Sequence, residues 1–436
     1  MKQPAPSDSL LRREIGRIGV ATIAMNGVIG SGIFALPAVA IAQAGYFSPW
    51  VFVLCGLLIL SVALTLARAA SFFDITGGPI VYTTQAFGRY VGFQTGLLIY
   101  VSRVAAIAAS ANLIVSYAAA IWPPLAAGPP RIVAIIGYVS LATFLNAAGV
   151  RAGMAGLYVI SVLKLVPLIL LILVGLPSIE WGLVAGADVL EPSTLGRTML
   201  VLMYAFIGFE FSLIAAGETR NARSEIPKAL VSTVLAIALC YTLIQLVAVS
   251  VGPDLGHSET PLVELARRLM GPVGALALGL GVVFSIGGGS LTSLLTAPRL
   301  TFALSRDGSL PAWFGAVGAK SGAPVNSILF CGAFSIAMAV GQHFVWLATL
   351  STFVRLLTYA LCIAALPIIE RTVAAEKDQF RLPGGLAIPA IGFLLTIWLM
   401  AHSTADNFLI AGTIVAVGSA VFWFCTRRAT PAEARP

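Results

Sequence analysis

The sequence predicts an all-α polytopic membrane protein of twelve transmembrane helices, and two observations carry that prediction. Of its 436 residues 58% are hydrophobic and only 10% are charged, with a mean hydropathy of +0.96. Soluble domains of this length carry more charge. The apolar residues also fall in runs that reach the roughly 20 residues needed to cross about 30 Å of hydrocarbon. These runs lie near 18–44, 49–70, 92–121, 131–150, 153–175, 195–217, 228–251, 271–303, 325–343, 345–369, 385–402 and 407–425.

The first run is too long for the apolar core of a signal peptide, and no A-x-A-like cleavage site precedes residue 40. It is therefore read as a mature span behind a polar tail, 1–17. Within it, "AMNGVIGSGIFALP" (24–37) carries Gly27, Gly30, Ser31, Gly32 and Pro37, all of which weaken a helix. A break in hydrocarbon frees backbone N–H and C=O groups at several kcal/mol each, so it survives only where it lines a cavity. The restarting half-helix presents N–H groups and a partial positive charge suited to a carboxylate. The carbonyls of Val28 and Ile29 suit an ammonium instead, so the two ends together suit a zwitterion. Gly27 and Gly30 also fit the plainer role of a helix-packing face.

The second to fifth runs are regular, and "SVLKLVPLIL" in the fifth places Lys164 too deep to reach the interface. Pro167 is expected to kink that helix. The sixth run is interrupted at "YAFIGFEFS" (204–212). Being five spans from the first, it crosses in the opposite direction. Paired interrupted spans of opposite direction are what an inverted five-plus-five repeat produces, and they point to a transporter binding site. Gly287, Gly288 and Gly289 in the eighth run are expected to permit close helix packing. The longest connections, about 176–194 and 252–270, are read as polar loops, so no soluble domain interrupts the spans.

A formal charge of +8 could indicate a polyanionic partner, but the positions of the basic residues decide otherwise. Nineteen of the 26 Lys and Arg fall on the side shared by both termini. Only Arg131, Arg197, Arg267 and Arg268 fall on the other side, and Arg103, Lys164 and Arg355 lie inside spans. This bias puts both termini in the cytoplasm and argues against nucleic acid. Cys55, Cys240, Cys331, Cys362 and Cys425 all sit in apolar runs without metal-ligand spacing, and His257, His343 and His402 fall at outer ends or loops with no acidic or cysteine neighbours at ligand spacing. No metal or other cofactor is expected.

"GVIGSGIFALP", "ITGGPIVYTTQAFG" (75–88), "YAFIGFE", "AAGETRNARSEIPKAL" (215–230) and "RLTFALSRDGSLPAWF" (299–314) together resemble, in order and spacing, the amino acid-polyamine-organocation superfamily. The resemblance runs from about residue 15 to 370. It implies a LeuT-like 5+5 inverted repeat with discontinuous helices 1 and 6. The transport core is 18–370, with repeats at about 18–175 and 195–370, followed by two peripheral helices in 385–425 and a cytoplasmic tail, 426–436. By motif position, Gly30, Ser31 and Gly32 match the carboxylate-binding turn, and the carbonyls of Val28, Phe206 and Ile207 match the ammonium site. Tyr204 matches an aromatic gate that is Trp in the arginine-agmatine antiporter. "GGPI" (77–80) resembles a re-entrant turn before an amphipathic helix, and "RDGSLP" a helix cap.

Ionisable residues inside spans are functional candidates by default. A buried ammonium loses hydration, which lets a lysine take up and release a proton in a transport cycle, and the resemblance places Lys164 where sodium-coupled relatives of the fold hold a cation. Ser290 or Ser293 of the eighth helix are its expected neighbours, and a fixed structural cation is the other reading. Glu210 matches an acid linked to proton sensing or to holding the unwound segment, and it can equally pair with Arg103 or Arg355, both candidates for a gate or ion pair.

The expectation is a secondary active transporter of amino acids in the cytoplasmic (inner) membrane, working by alternating access and coupled to protons. The alternatives are an exchanger, with cationic amino acids or polyamines included, and a membrane amino acid sensor. An enzyme is not expected, because no convergent nucleophile and base or carboxylate pair is present. A pocket lined by Ala21, Met25, Tyr204, Phe206 and Phe209 favours neutral substrates. Monomer and homodimer are both open.

Overall fold

The computed structural model describes residues 15–73, 75, 77–148, 154–318, 322–374, 379–382 and 384–428. Among them helices are the only regular structure, apart from one isolated parallel bridge between Ile15 and Thr219. In chain order the helices are α1 (Arg17–Val28), α2 (Ser31–Ala44), α3 (Ser48–Ala70), α4 (Pro79–Phe87), α5 (Arg89–Ala119), α6 (Gly128–Ala147), α7 (Met154–Gly175), α8 (Trp181–Ala185), α9 (Pro192–Leu202) and α10 (Phe211–Ile214). They continue with α11 (Ala222–Val251), α12 (Pro261–Arg306), α13 (Val325–Gly341), α14 (Phe344–Thr372), α15 (Ala387–Ala401) and α16 (Ala405–Arg428). Both tail assignments lie largely outside the described residues, as do Lys2, Arg12, Arg13, Arg151, Lys320, Lys377 and Arg435 of the charge count.

Eight of these stretches are long and apolar enough to cross a membrane, and α13 and α15 are shorter apolar helices. Large apolar side chains such as Leu57, Phe144, Leu173, Leu239, Leu394 and Val417 remain exposed across many of them. Exposed apolar surface on that scale belongs against lipid. The protein is a multi-pass membrane protein.

Which helices surround the centre follows from burial. In α5 83% of the apolar window is buried, against 28% in α6 and 17% in α16, so α5 is central and the other two are peripheral. It packs against α4, α12, α13 and α14, while α3 and α11 form a second tightly packed pair. The polar connection 252–270 is not all loop. Helix α12 begins at Pro261 and turns at Gly271 (φ 67°), and Glu264 reaches Arg267 and Arg268 at helical spacing, both at 3.7 Å. The other connection, 176–194, contains α8.

At the far end of α12, Gly308 (φ 71°) donates to the Ser305 carbonyl and Ser309 to that of Leu304, which is a Schellman cap. Arg89 donates to the carbonyl of Asp307 and thereby ties this cap to the start of α5. Of the three consecutive glycines 287–289 in α12, Gly288 packs on Ile160 of α7, whereas a Cβ at Gly287 or Gly289 would meet nothing within 4 Å. Helix α7 runs continuously past Pro167, whose ring packs at Gly281.

The two interrupted segments run antiparallel. Before α1, Ile15 pairs with the backbone of Glu218 and Arg220 beyond α10, while at the opposite end α2 packs on α9. Where they cross, a Cβ on Gly27 would lie 2.3 Å from the Gly208 oxygen, and one on Gly208 (φ +124°) 2.1 Å from the Gly27 oxygen. Only glycine permits this approach. Gly208→Ala is expected to destabilise the fold by about 3 kcal/mol or more, from backbone strain and overlap together. Gly137→Ala, which meets nothing within 4 Å, is the matched control. Thermal unfolding in detergent checks this, and equal midpoints for the two variants would refute it.

Candidate functional site

Helix α1 stops because Ile29 (ψ 86°) and Gly30 (φ −125°, ψ −141°) leave the helical region, and α2 restarts at Ser31 with no side-chain cap. The Gly30 N–H closes the turn on the Val28 carbonyl at 2.9 Å. The first-turn N–H groups of Ser31 and Gly32 have no carbonyl one turn back to receive them, so they suit an anionic acceptor.

The carbonyl side of the break is held by protein donors. The Tyr241 hydroxyl lies 3.4 Å from the Val28 oxygen, and the Ile29 oxygen accepts from Lys164 Nζ at 2.8 Å and Ser285 Oγ at 3.2 Å. Both lone pairs of the Ile29 oxygen are thus engaged. Lys164 is buried and also approaches the Asn26 oxygen at 3.5 Å. Asn26 in turn donates to Ser161 Oγ, which gives α1 and α7 a second link about one turn before the lysine. The α12 hydroxyl on the same carbonyl is Ser285, where Ser290 or Ser293 was expected. Five residues further on, Ser290 is rotated by about 140° around the helix and faces elsewhere.

The second break follows α9, where residues 203–206 tighten into a 3-10 turn and Ile207 is extended (ψ 143°). Glu210 holds the turn that follows. Its Oε2 accepts from the Gly208 N–H at 3.1 Å and from the Tyr359 hydroxyl at 2.9 Å, and its Oε1 lies 2.8 Å from an Arg355 guanidinium nitrogen. Both charged side chains are at most 3% exposed. Of the two expected partners Glu210 therefore takes Arg355, which also donates to Ser102 Oγ at 3.2 Å. Arg103 stacks on the Phe211 ring at 4.1 Å.

Between the breaks lies a narrow, partly open cavity of about 70 Å³. Val28, Gly30, Ser31, Gly32, Tyr204, Ile207, Glu210, Arg103 and Arg355 all line it. Ile29, Phe206 and Lys164 do not: Lys164 sits behind the first break, and the Phe206 ring packs on Phe52 and Tyr241. Tyr204 shares a 2.9 Å hydrogen bond with Ser31 Oγ, which also accepts from Ser110 of α5 at 3.1 Å, and its ring meets Phe344 edge-on. Of the five residues expected to make the lining apolar only Tyr204 is present. Ala21 and Met25 face a groove between α1, α7 and α11, and Phe209 stacks on Tyr359.

Asn26, Ser110, Tyr241, Ser285 and Tyr359 were not singled out by sequence. Their only signal was polarity within an apolar run, which many satisfied helix residues share.

A family model described as amino acid permease matches residues 15–426. The chain is 23% identical to the serine/threonine exchanger SteT of Bacillus subtilis (strain 168), over 95% of this chain and 96% of the relative. It is 24% identical to the methylthioribose transporter of the same organism, covering 96% and 94% of the two. To the Asc-type amino acid transporter 1 of Mus musculus it is 25% identical, covering 95% and 81%.

Proposed function

The chain belongs to the amino acid permease family and is a transporter, not an enzyme, and from that premise we propose a secondary active amino acid transporter that works by alternating access around the cavity between its two helix breaks. One observation carries the reading: both interruptions wall the same cavity, and one of them offers the uncapped start of α2. The substrate carboxylate docks on the first-turn N–H groups and hydroxyl at Ser31 and Gly32. Its ammonium faces the carbonyl of Ile207 and that of Val28, where it displaces the long Tyr241 contact, and Tyr204 closes over it. The neutral-substrate expectation loses four of its five lining residues, so the substrate class rests on the residues that do line the cavity.

In this reading twelve helices form a LeuT-like 5+5 inverted repeat over 18–370 with two peripheral helices in 385–425, set in the cytoplasmic membrane with both termini inside. The antiparallel course of the interrupted segments and the positive-inside charge bias support it. Lys164, joined to the first break at the Ile29 carbonyl, links protonation to the shape of the site. Exchange of one amino acid for another is the second reading, favoured by the similarity to a serine/threonine exchanger.

Uptake of a panel of radiolabelled amino acids into proteoliposomes, with and without an inward proton gradient, tests both. Concentrative uptake driven by the gradient is expected. Uptake that needs amino acid preloaded inside and ignores the gradient selects exchange, and no uptake of any amino acid sinks the proposal.

A further inference from the structure

Arg103 stands at the middle of α5, 2% exposed, and none of its Nε, Nη1 or Nη2 atoms has a hydrogen-bond partner. The nearby acid is already occupied, since Glu210 is taken by Arg355, Tyr359 and the Gly208 N–H. What Arg103 does touch is the Phe211 ring, which supports a guanidinium face and leaves its N–H edge uncommitted. A buried cation with unmet donors is costly, and a polar ligand group is the ordinary way such a cost is met. The cavity supplies the place, because Arg103 and Phe211 both line it.

The charges of that lining point the same way. Two guanidinium groups, Arg103 and Arg355, face one carboxylate, Glu210, so the wall carries an uncompensated positive charge. A zwitterion leaves it uncompensated, a cationic substrate adds to it, and one further carboxylate cancels it. A planar guanidinium fork matches a carboxylate with two parallel hydrogen bonds.

Position fits as well. Arg103, Ala106, Ile107 and Ser110 form one face of α5 along the cavity, and Ser110 is the residue that reaches Ser31. Seven residues of helix separate the two ends of that face by roughly 10 Å. A four- or five-carbon dicarboxylate, together with the length of an arginine side chain, bridges that distance.

We propose that Arg103 binds the side-chain carboxylate of the substrate, so that the preferred cargo is an acidic amino acid of the aspartate or glutamate type, with its α-carboxylate at the start of α2. This rests on the reading of the cavity as the amino acid site.

The test compares each acid with its own amide: glutamate against glutamine and aspartate against asparagine, in binding and in proteoliposome uptake by the full-length protein. Wild type is expected to prefer the acid by at least about tenfold. Arg103→Gln is expected to lower the acid-to-amide ratio about tenfold to a hundredfold, the equivalent of losing hydrogen bonds to a charged group. Arg103→Lys, which keeps the charge and loses the fork, is expected to fall between. A wild type that takes neutral amino acids and ignores both acids overturns the assignment of Arg103 while leaving the transporter reading intact. An unchanged ratio in a folded Arg103→Gln protein overturns it as well. Absence of uptake for every amino acid strikes the transporter reading first. The wild-type ratio needs no variant, so a misfolded substitution cannot hide the answer.

Discussion

Lys164→Ala is expected to abolish proton-driven concentrative uptake while the protein stays folded. Lys164 Nζ donates to the Ile29 carbonyl at 2.8 Å, the shorter of that oxygen's two hydrogen bonds and the only one from a charged group. A hydrogen bond of that kind contributes about 1.5–3 kcal/mol, so its loss changes the equilibrium between shapes of the first break by roughly tenfold to a hundredfold. If the lysine carries the coupled proton, its presence and absence on Nζ make and weaken this bond, and the break responds. Lys164→Arg separates the two roles. A guanidinium remains charged throughout, so a proton carrier loses its response to the gradient, whereas a fixed structural cation keeps uptake. Uptake at matched protein amounts, with and without the gradient, reads out the difference. Full gradient-driven uptake by Lys164→Ala would remove the lysine from the coupling mechanism.

Breaking the Glu210–Arg355 pair is expected to have the largest effect on stability. Glu210→Ala removes the acid and leaves Arg355 buried without its partner, in the same cavity wall as Arg103. Removing one member of a buried pair costs about 3–5 kcal/mol, and here the Gly208 N–H and the Tyr359 hydroxyl lose their acceptor too. Because Gly208 carries the positive φ of the second break, the turn itself is expected to loosen. Tyr359→Phe should cost less, about 1.5–3 kcal/mol for one hydrogen bond to a charged group, and the double substitution Glu210→Met with Arg355→Met should recover part of the loss, since an apolar pair leaves no orphaned charge. Thermal midpoints in detergent order the variants. A Glu210→Ala protein as stable as wild type would show that the pair holds nothing together.

The amino acid sequence by itself determined the class of molecule, because hydropathy is a sum over residues and needs no neighbours. Runs of roughly 20 apolar residues become helices in lipid whatever packs beside them. It also marked both breaks, since Gly27, Gly30 and Gly208 weaken a helix through their own backbones, and it picked out Arg103, Lys164, Glu210 and Arg355 as charges too deep to be idle.

Only the tertiary structure decided which of these meet. The contacts between Gly27 and Gly208, Ser31 and Tyr204, Lys164 and Ile29, and Glu210 and Arg355 join residues more than 130 positions apart. Which faces touch depends on helix rotation, and about 100° per residue is enough to put Ser285 on the Ile29 carbonyl and carry Ser290 away from it. The same rotation turned Ala21 and Met25 toward the outer groove and buried Phe206 and Phe209 against other rings. Apolarity is shared by core, lipid face and cavity wall alike, so composition along one helix cannot separate them. Charge pairing is likewise a relation between helices: Glu210 had two candidate cations in sequence, and the packing of α14 gave it Arg355 and left Arg103 facing the cavity without a hydrogen-bond partner.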